Sequence, residues 1–157
     1  MQYGELIRLV ADLLKEFDST KPVHKSFRPG IGPFGEPQIV AQIAKRLVDN
    51  GVGAKTKRTP DLAVNLDWAI EFKIVRPFGD NGKEAENWSV NLLHPYAGNV
   101  SLIGDALKLS KLTEYNRRGL FLICYEHKPP KIDLEPLLAS FELIARQIAH
   151  IQLSSRH

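Results

Sequence analysis

Hydrophobic and polar positions change period several times along the chain, and each change predicts an element. Leu6, Leu9, Val10, Leu13, Leu14 and Phe17 recur at helical spacing, so an amphipathic helix is expected over about 3–17. A loop rich in Pro and Gly follows, through Arg28-Pro-Gly-Ile-Gly-Pro-Phe-Gly35. Pro37 suits the first position of a second helix (37–50), with Ile39, Val40, Ile43, Ala44 and Leu47 as its apolar face and Asn50-Gly51 as its stop. A short strand is expected near 53–58. From Leu62 to Val75 the period drops to two: Leu62 and Val64, then Ile70, Phe72 and Ile74, alternate with polar or small residues. That predicts a hairpin turning around 66–68.

The hairpin's register follows from its faces. A two-residue turn at Leu66-Asp67 would set Leu62 opposite Glu71 and put a carboxylate on the apolar face. A three-residue turn sets Leu62 opposite Phe72 and Val64 opposite Ile70, keeping that face apolar. The second register is expected, and it brings Asp61, Glu71 and Lys73 out together on the other face. The polar segment from Arg76 to about Val100 reads as a long loop, of the kind that is often functional. A helix over about 101–115 and a buried strand over 119–125 follow, the latter taking Cys124 into the core. Pro129-Pro130 breaks the chain, and Pro136 opens a last helix, within 134–152, striped by Leu137, Leu138, Phe141, Ile144, Ala145 and Ile148.

Candidate chemistry concentrates on the hairpin. Residues i and i+2 of a strand share a face, so Glu71 and Lys73 point one way while Phe72 enters the core. Two carboxylates converging at a strand pair repel unless a cation lies between them. Magnesium accepts one or two protein carboxylates and fills its remaining positions with water and phosphate oxygens. The Phe72 carbonyl is a further candidate ligand, and Lys73 would stand near a metal-bound water. The plain alternative is an exposed hairpin face with a cross-strand Asp61–Lys73 salt bridge.

Pro60-Asp61, nine intervening residues and then Glu71-Phe72-Lys73 resemble the signature of the PD-(D/E)XK nuclease superfamily. The resemblance covers about 36–126, where the predicted order helix, three strands, helix, strand also agrees. It implies a restriction-endonuclease-like α/β fold, with a small mixed sheet flanked by helices and extra N- and C-terminal helices, as a single domain over 1–157. It implies a metal-dependent endonuclease using Mg2+ or Mn2+, with DNA favoured over RNA as substrate. Asp61 and Glu71 would hold the metal, Lys73 would assist the attacking water, and Glu36, on the preceding helix, would complete the site. A non-catalytic nucleic-acid- or protein-binding module on the same fold is the alternative. A homodimer through the stripes of the terminal helices would suit cutting of two strands.

Composition sharpens this only in places. With 157 residues, 43% hydrophobic and 25% charged, the chain has the make-up of one folded domain rather than a disordered tail or a fibre. A single cysteine excludes a disulfide scaffold, no apolar run approaches the ~20 residues of a membrane helix, and the N-terminus lacks a signal peptide's apolar core. A cytosolic protein with no membrane contact is expected. The net charge is only +3, but its distribution is uneven. Lys21, Lys25 and Arg28 lie in a loop without acids, as do Lys55, Lys57 and Arg58, so the remainder of the chain is net acidic. Arg28, Lys55, Lys57, Arg58 and Lys108 are the candidate phosphate contacts, with Lys111 beside them. His94, Tyr96 and Trp88 are candidates to stack on a base, His24 reads as surface, and Arg117 and Arg118 as a helix end. Gly30-x-Gly32-x-x-Gly35 spells a dinucleotide fingerprint but follows no strand and is set aside.

Overall fold

The computed structural model describes residues 1–79, 82–85, 88–95, 100–125 and 128–156. They form a mixed α/β structure of four strands and five helices: α1 (Tyr3–Ser19), α2 (Glu36–Asp49), β1 (Ala54–Thr56), β2 (Leu62–Val64), β3 (Trp68–Val75), α3 (Trp88–Leu93), α4 (Leu102–Ser110), β4 (Arg117–Cys124) and α5 (Leu134–Gln147). The sheet runs β1-β2-β3-β4, antiparallel across the first two junctions and parallel across the third. Among the described residues no helix is long and apolar enough to cross a membrane.

Alternation along β2 and β3 sorts the two faces. Leu62, Val64, Trp68, Ile70 and Phe72 meet the buried stripes of α1 and α2, including Leu6, Val10, Ile39, Ile43 and Leu47. On the opposite face Ala63 and Ala69 pack against Leu109 and Tyr115, and Val75 packs among Leu92, Leu102 and Ile103. The first face is wholly hydrocarbon. The second begins apolar and becomes charged along β3.

α1 is fastened to the sheet as well as packed on it. The Tyr3 ring stacks on Trp68 with centroids 5.3 Å apart, and its hydroxyl donates to the Leu120 carbonyl at 2.9 Å. Burial pushes the Tyr3 phenol up to about 12, despite that hydrogen bond. Gly119 allows this approach, because a Cβ there would stand 2.9 Å from the Tyr3 ring.

Several expectations are corrected. The hairpin pairs Leu62 with Ile70 and Val64 with Trp68, two residues away from the predicted register. The turn still has three residues, but they are Asn65, Leu66 and Asp67. Asn65 and Leu66 take the left-handed conformation (φ 52° and 57°), and the Asn65 side chain accepts from Gly53 N–H at 2.9 Å. A slip of two preserves the faces, so the apolar side stays apolar. Glu36 is the first residue of α2 and Gly35 its cap, so the helix starts one residue before the expected Pro37. α4 is shorter than the predicted 101–115 and α5 shorter than 134–152. The supposed long loop after Val75 contains α3 and a Phe78–Glu84 bridge. Arg117 and Arg118 open β4 rather than close a helix, although the Arg118 guanidinium donates to the Leu112 carbonyl just beyond α4.

Candidate metal and phosphodiester site

The site arises where β2 stops and β3 continues. Pro60 has no N–H and is fully buried, which ends the ladder behind Leu62. Beyond that point Phe72 and Ile74 would have unpaired main-chain groups along the vacated edge. Two carboxylates take the place of the missing strand. Asp61 Oδ2 accepts from Phe72 N–H at 2.9 Å, and the Glu36 carboxylate accepts from Ile74 N–H. Because N–H and C=O of one strand residue point the same way, the Phe72 carbonyl also faces this edge.

The two-residue shift in register matters here. Carried one step past Leu62–Ile70, it sets Asp61 across from Glu71, not from Lys73. The two carboxyl groups lie close enough to interact directly, and one proton between them would relieve their repulsion. Glu71 is only 5% exposed, and its Oε1 is buried with no hydrogen-bond partner. Burial first, and the neighbouring Asp61 second, push the Glu71 carboxyl up to about 8.

Lys73 does not form the surface salt bridge with Asp61 that was the plain alternative. Its Nζ lies 2.9 Å from Asp105 Oδ2 and 3.7 Å from Glu36 Oε1, and its side chain is 13% exposed. Burial alone would lower its affinity for a proton. Contact with Asp105 and the charges of Glu36 and Asp61 outweigh that and hold it above the ordinary lysine value. The Glu36 carboxyl is raised, by burial chiefly, with Lys73 opposing.

Asp105 is the site residue that sequence reasoning missed. It is 3% exposed in the first turn of α4, and its Oδ1 accepts from Lys108 Nζ at 2.7 Å. Ser101 fixes that turn: its hydroxyl accepts from Gly104 N–H at 3.1 Å and donates to the His94 carbonyl at 2.7 Å. A signal existed, since Asp105 interrupts the apolar face Leu102, Ile103, Ala106, Leu109 with a charge.

The predicted rim is only partly assembled. Lys108 joins the site through Asp105. Lys55, within β1, and Arg58, just after it, are exposed ahead of Asp61. Lys57 is turned to Tyr115, donating to its hydroxyl at 2.6 Å. Arg28 lines a separate cleft with Phe27, Arg76 and Tyr125, on the α1 side of the sheet. His94 follows α3 and is half-buried, His24 packs against Phe34 with centroids 4.9 Å apart, and Tyr96 lies outside the described residues. Cys124 is half-buried rather than fully in the core.

Four carboxyl groups (Glu36, Asp61, Glu71, Asp105) therefore meet two lysines (Lys73, Lys108), leaving a deficit of two positive charges when all are ionised. A proton between Asp61 and Glu71 would remove part of it. A divalent cation would remove all of it, and the orphaned Glu71 Oε1 is an oxygen with a lone pair to give. Among the described residues no three His, Cys, Asp or Glu side chains form a ready-made cage. The donors that fit are two touching carboxyls and one main-chain carbonyl, a set that suits a hydrated magnesium or manganese ion more than a structural metal. No family model matches this chain, and no curated protein or solved structure matches it either.

Proposed function

We propose that the protein is a metal-dependent nuclease of restriction-endonuclease-like fold, hydrolysing phosphodiester bonds in DNA with Mg2+ or Mn2+. The observation that carries this reading is the forced contact of Asp61 and Glu71 beside the Phe72 carbonyl, with the Lys73 ammonium two residues along the same strand face. Nothing in folding requires two acids to be pressed together there. Holding a half-buried and a buried carboxyl group against each other costs stability, so a cation-binding role explains the contact where a structural one does not.

Asp61, Glu71 and the Phe72 carbonyl would hold the ion, which when bound polarises a phosphate oxygen and makes bound water more acidic. The chain's own groups do the rest. The Phe72 and Ile74 N–H groups fix the Asp61 and Glu36 carboxylates. Lys73, flanked by Asp105 and Glu36, stays an ammonium. It therefore orients water and offsets charge building on the phosphate, and is not the group that accepts the water's proton. Lys55 and Arg58 contact the backbone without reading sequence.

Wild-type protein is expected to nick or cut plasmid DNA with Mg2+ or Mn2+ and to stop on addition of EDTA. Lys73→Ala and Glu71→Gln should each abolish the activity while circular dichroism keeps its folded spectrum. A folded wild-type chain without turnover on duplex DNA, single-stranded DNA or RNA, with either metal, overturns the proposal. If that chain still binds nucleic acid, the non-catalytic module takes its place.

A further inference from the structure

Asp105 stands apart from the residues that the hairpin supplies: it comes from α4, on the far wall of the site, and it serves two lysines at once. Lys73 Nζ sits 2.9 Å from Oδ2 and Lys108 Nζ 2.7 Å from Oδ1. The two contacts are unlike. Lys73 is 13% exposed and rises from the strand, where a second carboxylate also holds it. Lys108 is 43% exposed and reaches back one turn along Asp105's own helix. Lys108 is itself half-exposed and stays solvated whether or not it touches the buried Asp105, so this contact three residues along one helix adds little for the lysine. Lys108 can therefore leave at small cost. Asp105 cannot be left without a partner, but Lys73 and the α4 N-terminus would still balance it.

We propose that Asp105 is the positioning residue of this site. One of its oxygens fixes Lys73, and the other keeps Lys108 in reserve until a substrate phosphate draws it off. The inference rests on the nuclease reading above. Both ammonium groups bind one carboxylate, so a phosphate seated against Lys73 lies within a rotamer change of Lys108. Without Asp105, the long lysine stem regains its rotamer freedom and Lys73 loses its aim. Misplacement of about 1 Å is enough to lower turnover ~100-fold. Lys108, in contrast, acts as a point charge on the backbone, its release offset by a new charge-assisted contact.

The test pairs turnover with binding of a labelled 20-base-pair DNA duplex in EDTA. Asp105→Asn should lower kcat about 100-fold with KM little changed, and should leave duplex affinity equal or slightly tighter because Lys108 is freed. Lys108→Gln, at an exposed position that leaves folding intact, should raise KM more than it lowers kcat. It should also flatten log Kd against log salt by about one unit, with Lys108→Arg restoring the slope. A merely structural Asp105 would instead lose melting temperature, binding and turnover together, and that result overturns the proposal. So does an Asp105→Asn that turns over normally, or a Lys108→Gln with an unchanged salt slope. If the wild type cuts DNA and these variants fail the pattern, only this inference falls. If the wild type neither binds nor cuts, the nuclease reading falls with it.

Discussion

The two halves of β3 have the same backbone and opposite purposes. From Trp68 to Ile70 the strand is hydrogen-bonded on both sides, to β2 and to β4, and its side chains are apolar. From Glu71 to Ile74 the β4 side remains paired, but on the β2 side two carboxylates stand in for a strand, and acids and a lysine replace hydrocarbon. The first half satisfies every polar group and buries surface, so each residue adds stability. The second half keeps two carboxyl groups in contact and leaves a buried oxygen without a partner. Strain of this kind persists only where the flanking structure holds it, and here the fully paired half does the holding. Stability and chemistry are thus divided along one strand, about three residues apart.

The sharpest way to break that division is to change residues 70 and 71 separately. Glu71→Gln should lower the rate of DNA cleavage by about 1,000-fold or more, as losing a group that stabilises transition-state charge does. It should also raise the melting temperature of the metal-free protein, because a glutamine amide can donate to Asp61 as the protonated carboxyl does. Ile70→Ala, one residue earlier and fully buried, should do the reverse. It is expected to cost ~3 kcal/mol of stability in urea titration, while the specific activity of the folded fraction stays close to wild type. Equal stability losses in both variants would mean that the two halves are not functionally distinct.

How much of this was legible beforehand follows the same boundary. The apolar half was readable because period-two alternation dictates faces, and faces survive even the misjudged register: a slip of two residues leaves Leu62 and Val64 on the α1–α2 side. Asp61, Glu71 and Lys73 were readable as sharing a face for the same reason. Their partners were not. The pairing of Asp61 with Glu71 depends on where the turn begins, and Asn65 and Leu66 both adopt left-handed backbone, which no glycine announces. Asp105 escaped because its role is set by tertiary contact across the sheet face, and a lone acid on a helix ordinarily marks the solvent side. Glu36 was found, but its hold on the Ile74 N–H depends on β2 being short, which the sequence shows only as Pro60.

Proton binding sharpens the comparison further. The folded, metal-free protein keeps a proton on Glu71 up to about pH 8, whereas the unfolded chain releases it near the ordinary 4.5. Stability from this group is therefore complete below that lower value and is lost as pH rises through about 8. The raised Glu36 carboxyl adds a slope of the same sign. Urea titrations in EDTA should show a fall on the order of 3 kcal/mol between pH 5 and pH 8, largely absent in Glu71→Gln. Excess Mn2+ should restore wild-type stability more at pH 8 than at pH 5, since the ion competes with the proton for the same oxygens. A wild-type profile that is flat, or that rises over this range, would mean the two carboxyls are not pressed together.

The smallest expected effect tests how the α4 wall is registered against the charged half of β3. Ser101 is fully buried, and its hydroxyl both caps α4 and ties the helix to the end of α3 through the His94 carbonyl. Ser101→Ala removes the cap and leaves the Gly104 N–H and the His94 carbonyl without that hydroxyl, a loss of about 1 kcal/mol. The first turn of α4 carries Asp105, so loosening it should shift the charged half and spare the apolar one. Amide exchange should therefore quicken at Gly104 and Asp105 and stay slow at Ala69 and Ile70. Turnover should fall several-fold more than the stability loss explains, because Lys73 takes its position from Asp105. If exchange instead quickens evenly along α4 and β3, the two halves open as one unit, and the division along the strand is one of chemistry alone.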